Sequence, residues 1–94
     1  MGKQEGIIED YLINQAKKNK MLCYKFVSPG ENGVPDRIVI YNGYVVFVEL
    51  KKPGEDARPL QKAVIKKMKS RGAEVHVIDS KPLVDKLMQD LLHR

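Results

Sequence analysis

The stretch 36-DRIVIYNGYVVFVELK-51 decides how this 94-residue chain is read. Two β-rich runs, Ile38-Val39-Ile40-Tyr41 and Tyr44 through Leu50, are separated by Asn42-Gly43, the dipeptide most typical of a two-residue hairpin loop. Such a loop fixes the register. Tyr41 then pairs with Tyr44, Ile40 with Val45 and Ile38 with Phe47, and, continuing outward, Asp36 falls opposite Glu49. Their Cβ atoms are expected about 4.5–5.5 Å apart on one face of the sheet. Opposed like charges destabilise a sheet unless something neutralises them, and a hard divalent cation held by oxygen ligands does so. Lys51, two residues beyond Glu49, points to the same face.

Both faces of this hairpin are apolar, with Ile38, Ile40, Val45 and Phe47 on one and Val39, Val46, Val48 and Leu50 on the other. A strand pair of that kind belongs in the middle of a sheet covered on both sides. Upstream, the spacing of Ile8, Leu12 and Ala16, widened by Ile7 and Tyr11, predicts a helix from Gln4 to about Lys18. Met21 to Val27 reads as a strand, and Ser28-Pro29-Gly30-Glu31-Asn32-Gly33 as a loop. Downstream, Pro59 suits the first turn of a helix that turns Leu60, Val64 and Met68 inward, with Gly72 as its stop. Ala73 to Ile78 is a further strand. Ser80 caps a last helix whose apolar face carries Leu83, Val84, Leu87, Met88, Leu91 and Leu92. The order α-β-β-β-α-β-α defines an α/β fold in one domain, residues 1–94.

Seventeen Lys and Arg against twelve Asp and Glu give a net charge of +5, which favours a polyanionic partner such as nucleic acid. No stretch approaches the roughly 18 continuous apolar residues of a membrane span, so a membrane partner is not expected. The single cysteine, Cys23, permits no internal disulfide and suits a reducing compartment. The chain is therefore expected in the cytoplasm. A domain this small gains from burying surface against a second copy, which makes a homodimer a reasonable expectation.

The carboxylate pair points to a class of chemistry. Phosphodiester hydrolysis needs a nucleophilic water, a stabiliser for charge on the phosphate and help for the leaving group, and a divalent ion serves all three. Magnesium is usually held by one or two carboxylates, with waters and substrate phosphate completing its shell. Asp36 and Glu49 supply two carboxylates, and the backbone carbonyl of Leu50 is a further oxygen ligand. Lys51 then orients or deprotonates the attacking water, or neutralises the phosphate. Lys25, Arg37, Lys52 and Arg58 lie in or beside loops flanking this point and are candidates for phosphate contacts. His76 and His93 lack the spacing of a metal pair, and Ser28 has no evident base partner.

Gly33-Val34-Pro35-Asp36-Arg37 followed by Val48-Glu49-Leu50-Lys51 resembles the PD-(D/E)xK nuclease signature. The flanking text, Lys25 to Gly30, Arg58-Pro59-Leu60-Gln61 and Val75 to Ser80, is similar to the stand-alone VRR-NUC (virus-type replication-repair nuclease) branch of that superfamily. The resemblance runs almost the whole chain. It implies a restriction-endonuclease-like core, a mixed central sheet flanked by helices, and a magnesium-dependent DNA endonuclease in which manganese can substitute. In small viral and bacterial members it further implies a homodimer acting on branched DNA such as four-way (Holliday) junctions, within a bacterium or a virus-infected bacterial cell. Two more residues carry over. Glu5-Gly6-Ile7-Ile8 matches the family's first-helix glutamate pattern, which favours Glu5 over Glu9 as an upstream acid, and Gln61 matches the family glutamine after the lysine strand. The alternatives are a nuclease of the same site acting on flaps, nicked duplex or single strands, and a basic DNA-binding module that does no chemistry.

Overall fold

Asn42 and Gly43 both adopt positive φ, 50° and 85°, and turn the chain back on itself within two residues. This is the backbone a two-residue turn requires if its twist is to match that of the strands it joins. The computed structural model describes the backbone of residues 3–94 and side chains from Gly6 onward. The elements run α1 (Lys3–Lys18), β1 (Leu22–Lys25), β2 (Arg37–Tyr41), β3 (Tyr44–Leu50), α2 (Pro59–Ser70), β4 (Glu74–Ile78) and α3 (Lys81–Leu92). The expected order α-β-β-β-α-β-α is the observed one. The four strands lie in sequence order, with β1, β2 and β3 antiparallel and β4 parallel to β3. The hairpin register is that set by the turn: Tyr41 faces Tyr44, Ile40 faces Val45, Ile38 faces Phe47 and Arg37 faces Val48.

Strand alternation sorts the rest. Val39, Val46, Val48 and Leu50 are buried against Ile8, Leu12 and Ala16 of α1 and Val84, Leu87, Met88 and Leu91 of α3, which form one core with Met21 and Ile78. Lys20 takes a left-handed φ of 59° between α1 and β1, and Ser80 accepts a hydrogen bond from the Leu83 amide at the start of α3. Tyr11 joins this side at its margin, its hydroxyl donating to Asp85 at 2.6 Å.

The opposite face is covered only in part. α2 is 12 residues long, about 18 Å at the usual rise, and it packs on β4. Val75 is buried beneath it, while Leu22, Tyr24 and Val45 remain 49%, 56% and 50% exposed. The central hairpin is thus covered fully on one side and incompletely on the other, contrary to the two-sided coverage its apolar pattern suggested. The same displacement changes how α2 sits. Ile65 is its buried residue, Val64 and Met68 are half-buried, and Leu60 is 55% exposed. Ile7 is likewise exposed, since it falls off the Ile8-Leu12-Ala16 line. β1 is shorter than Met21–Val27, although the Phe26 amide still donates to the Asp36 carbonyl at 2.8 Å.

Candidate active site

The site forms where β2 and β3 outrun their pairing. Pro35 is fully buried and delivers Asp36 to the end of β2, opposite Glu49 by continuation of the register. Asp36 Oδ2 accepts a 2.9 Å hydrogen bond from the Leu50 amide. Extended backbone points a residue's N–H and C=O to the same side, so the Leu50 carbonyl also faces the Asp36 side of β3.

Glu49 is 1% exposed. Its Oε2 accepts from Gln61 Nε2 at 2.8 Å and pairs with Lys51 Nζ at 3.0 Å. Its Oε1 is buried with no hydrogen-bond partner among the described residues. Burial chiefly, and then the neighbouring charge of Asp36, raise the Glu49 carboxyl from 4.5 to about 7, against the opposing pull of Lys51. A buried carboxylate oxygen without a donor costs on the order of 1–3 kcal/mol or more. A carboxyl so placed beside a second one is an arrangement that a hard cation relieves. The donor set therefore fits a divalent ion: two carboxylates and a carbonyl, all oxygen. No cluster of three or more His, Cys, Asp or Glu occurs among the described residues, so a third side-chain ligand is not found there.

Lys51 is 5% exposed and is held from two sides, by Glu49 and by Gln61 Oε1, to which it donates at 2.6 Å. Gln61 in turn accepts from the Arg58 amide at 3.1 Å, which ties it to the first turn of α2. One amide side chain thus fixes the carboxylate, the ammonium and the helix start together. Lys51 reaches β4 as well, its amide donating to the Ile78 carbonyl at 3.0 Å.

The structure brings Asp36, Glu49, Leu50, Lys51 and Gln61 together as the sequence suggested. Glu5 lies outside the described side chains. Glu9 is 8% exposed and forms a 2.9 Å ion pair with Arg37 Nε, so it is neither a solvated helix-end acid nor directed at Asp36. Arg37 consequently sits on the α1 side of the sheet, across from the carboxylate face, and its side chain is engaged by Glu9. Strand alternation carries that signal, because Arg37 follows Asp36 directly. Lys52 and Arg58 are exposed, as a phosphate contact requires, whereas Lys25, although exposed, pairs directly with Arg37 and shares its face, across the sheet from the carboxylates.

A mixed four-stranded sheet thus carries, at one end of its central hairpin, a buried carboxylate-lysine cluster bridged by Gln61. No family model matches the chain. A protein given the name "Putative nuclease p44", from Acyrthosiphon pisum secondary endosymbiont phage 1, is 43% identical over 81 residues, covering 85% of this chain and 87% of its own. A solved structure described as a VRR_NUC domain superposes with a TM-score of 0.86 at 31% identity, covering 94% of this chain and 97% of the other. The chain belongs to the VRR-NUC nuclease family.

Proposed function

We propose that this nuclease is a divalent-cation-dependent DNA endonuclease that uses magnesium, or manganese in its place, and that it selects branched DNA such as four-way junctions. The observation that carries the cation is Glu49 Oε1, buried beside Asp36 without a donor. Asp36, Glu49 and the Leu50 carbonyl would hold the ion, and the resemblance to the family makes Glu5 the assisting upstream acid. When bound, a divalent ion polarises the phosphate and makes water a stronger acid.

The chain's own residues supply the rest. Lys51 Nζ has three N–H donors, and two are directed at Glu49 and Gln61. The remaining donor serves a phosphate oxygen or the attacking water. Gln61 keeps the ammonium in place by accepting from it while donating to Glu49. Lys52 and Arg58 attract backbone phosphates, in keeping with a net charge of +5. Junction preference has its support in the resemblance to small VRR-NUC proteins. A homodimer is supported by the small domain and by the exposed apolar residues Leu22, Tyr24 and Val45, and two symmetric sites would suit paired nicks.

The test is cleavage of labelled four-way junction, flap and linear duplex DNA with magnesium, alongside EDTA and a Lys51→Ala variant. Junction-selective cutting that is lost in both controls is expected. Equal cutting of all three substrates would remove the junction preference, and cutting that survives EDTA would remove the cation.

A further inference from the structure

An open groove of about 490 Å³ runs along α2 on the same sheet face as Glu49, and nothing in the catalytic arrangement uses it. Its floor is made by Phe26 and Phe47, whose ring centroids are 5.4 Å apart at an interplanar angle of 56°. Val64 and Met68 form the α2 wall, and Lys67 and Arg71 stand on its rim. Phe47 precedes Glu49 by two residues, so it lies about 7 Å away along the strand on the same face. On α2, Gln61, Val64 and Met68 share one stripe, and Met68 is about 10 Å along the axis from Gln61. The groove therefore lies on the face of the carboxylate site, one step along β3 and one turn along α2 from it.

The aromatic floor is half-buried, so the protein leaves it uncovered rather than packing it into the core. At the Leu60 end of α2 the 28–34 loop packs closely on the helix through Gly33, at φ +86°, where a Cβ would meet Leu60 Cγ at 3.2 Å and Val64 Cγ2 at 3.3 Å. An aromatic floor beneath two cations is complementary to a planar base carried on a phosphate backbone. Glu31 is the one acidic lining residue, set against Lys67 and Arg71. A double helix keeps its bases stacked and cannot place one in such a groove, whereas an unpaired nucleotide can.

We infer that the groove between α2 and the 28–34 loop receives an unpaired nucleobase close to the scissile phosphate, with Phe26 and Phe47 against the base and Lys67 and Arg71 on the adjoining phosphates. This rests on the nuclease reading and specifies the substrate: DNA with at least one unstacked nucleotide at the cut. It does not require cleavage to be tested. A fluorescent duplex with a short single-stranded flap, and the same DNA with abasic residues throughout the flap, are titrated in EDTA against wild type and Phe26→Leu, which keeps an apolar side chain but no ring.

Wild type is expected to bind the abasic DNA about tenfold more weakly. Phe26→Leu is expected to lose a similar factor on the intact flap and almost nothing on the abasic one, a coupling that a folding defect cannot mimic. Lys67→Ala with Arg71→Ala, on the exposed side of α2, should weaken both DNAs equally and flatten the salt dependence. Equal affinity of wild type for the two flaps overturns the proposal. So does a Phe26→Leu loss that is the same on both DNAs and is accompanied by a change from dimer to monomer in sedimentation, which would assign the groove to a second copy. Wild-type cleavage, scored separately with magnesium, reports on the nuclease reading alone.

Discussion

Replacing Glu49 with Gln in cation-free protein removes a buried charge while leaving its shape nearly unchanged. The Glu49 carboxyl is raised from 4.5 to about 7, first by burial and second by Asp36. Its folded value lies above its unfolded one, so the folded protein binds more protons between them and stability falls as pH rises through that window. At about 1.4 kcal/mol per unit, the shift amounts to roughly 3 kcal/mol when complete, of which about 2–3 kcal/mol is lost between about pH 5 and about pH 8. Glu49→Gln does not ionise and keeps an oxygen for Gln61 and Lys51. Urea unfolding of both proteins in EDTA at those two pH values isolates the effect, because every other titrating group is common to both. The variant should gain about 2–3 kcal/mol relative to wild type on going from the lower to the higher pH. A wild-type-to-variant difference that is the same at both would refute the assignment of a raised carboxyl at this position.

Magnesium should raise the thermal midpoint of wild type increasingly with its concentration, and Asp36→Asn should abolish the rise, as followed by differential scanning calorimetry. Lys51→Ala should lower the single-turnover cleavage rate by roughly a hundredfold or more while leaving DNA affinity within a few-fold, since the ammonium is enclosed by Glu49 and Gln61. Gly33→Ala should cost about 1–2 kcal/mol in urea unfolding, because φ is +86° there and the new Cβ meets Leu60 and Val64. At the chain end, Arg94 pairs with Glu74 and Asp90 and lies over the Tyr44 ring, and the Arg94 hydrogen bond is the main reason the Glu74 carboxyl falls to about 2. That stabilisation is present above the unfolded carboxyl value and is lost as pH falls through about 2. Arg94→Ala should therefore cost about 1 kcal/mol at neutral pH, allowing for solvent screening of this surface network, and nearly nothing in strong acid.

Much of this fold could be read from local pattern. The Asn42-Gly43 turn fixed which residues oppose which, and the Ile8-Leu12-Ala16 and Val84-Leu87-Met88-Leu91 stripes identified the two helices of the closed face. Asp36, Glu49 and Lys51 followed from that register because side chains alternate faces along any extended strand. Coverage of the other face was not legible. Whether Val45 and Tyr24 are buried depends on where a single helix lands relative to four strands, which no local periodicity encodes. The same holds for Gln61: its place on α2 was readable, whereas its simultaneous hold on Glu49 and Lys51 arises only when α2 docks. Arg37 was assigned by its nearness in sequence to Asp36, although alternation sends the two to opposite faces.

The bridge made by Gln61 joins parts of the molecule that form at different stages. The two carboxylates are brought together by a hairpin with a two-residue turn, a contact a short nascent segment can make within microseconds. Gln61 reaches them only after the chain has passed through α2 and laid β4 beside β3 in parallel, a non-local pairing that is intrinsically slower. Until that crossover closes, Lys51 lacks both its partner on α2 and the Ile78 carbonyl that receives its amide. On the roles proposed for Lys51 and Gln61, a partly folded copy that displays the carboxylate pair but has not closed this crossover is not yet an armed nuclease.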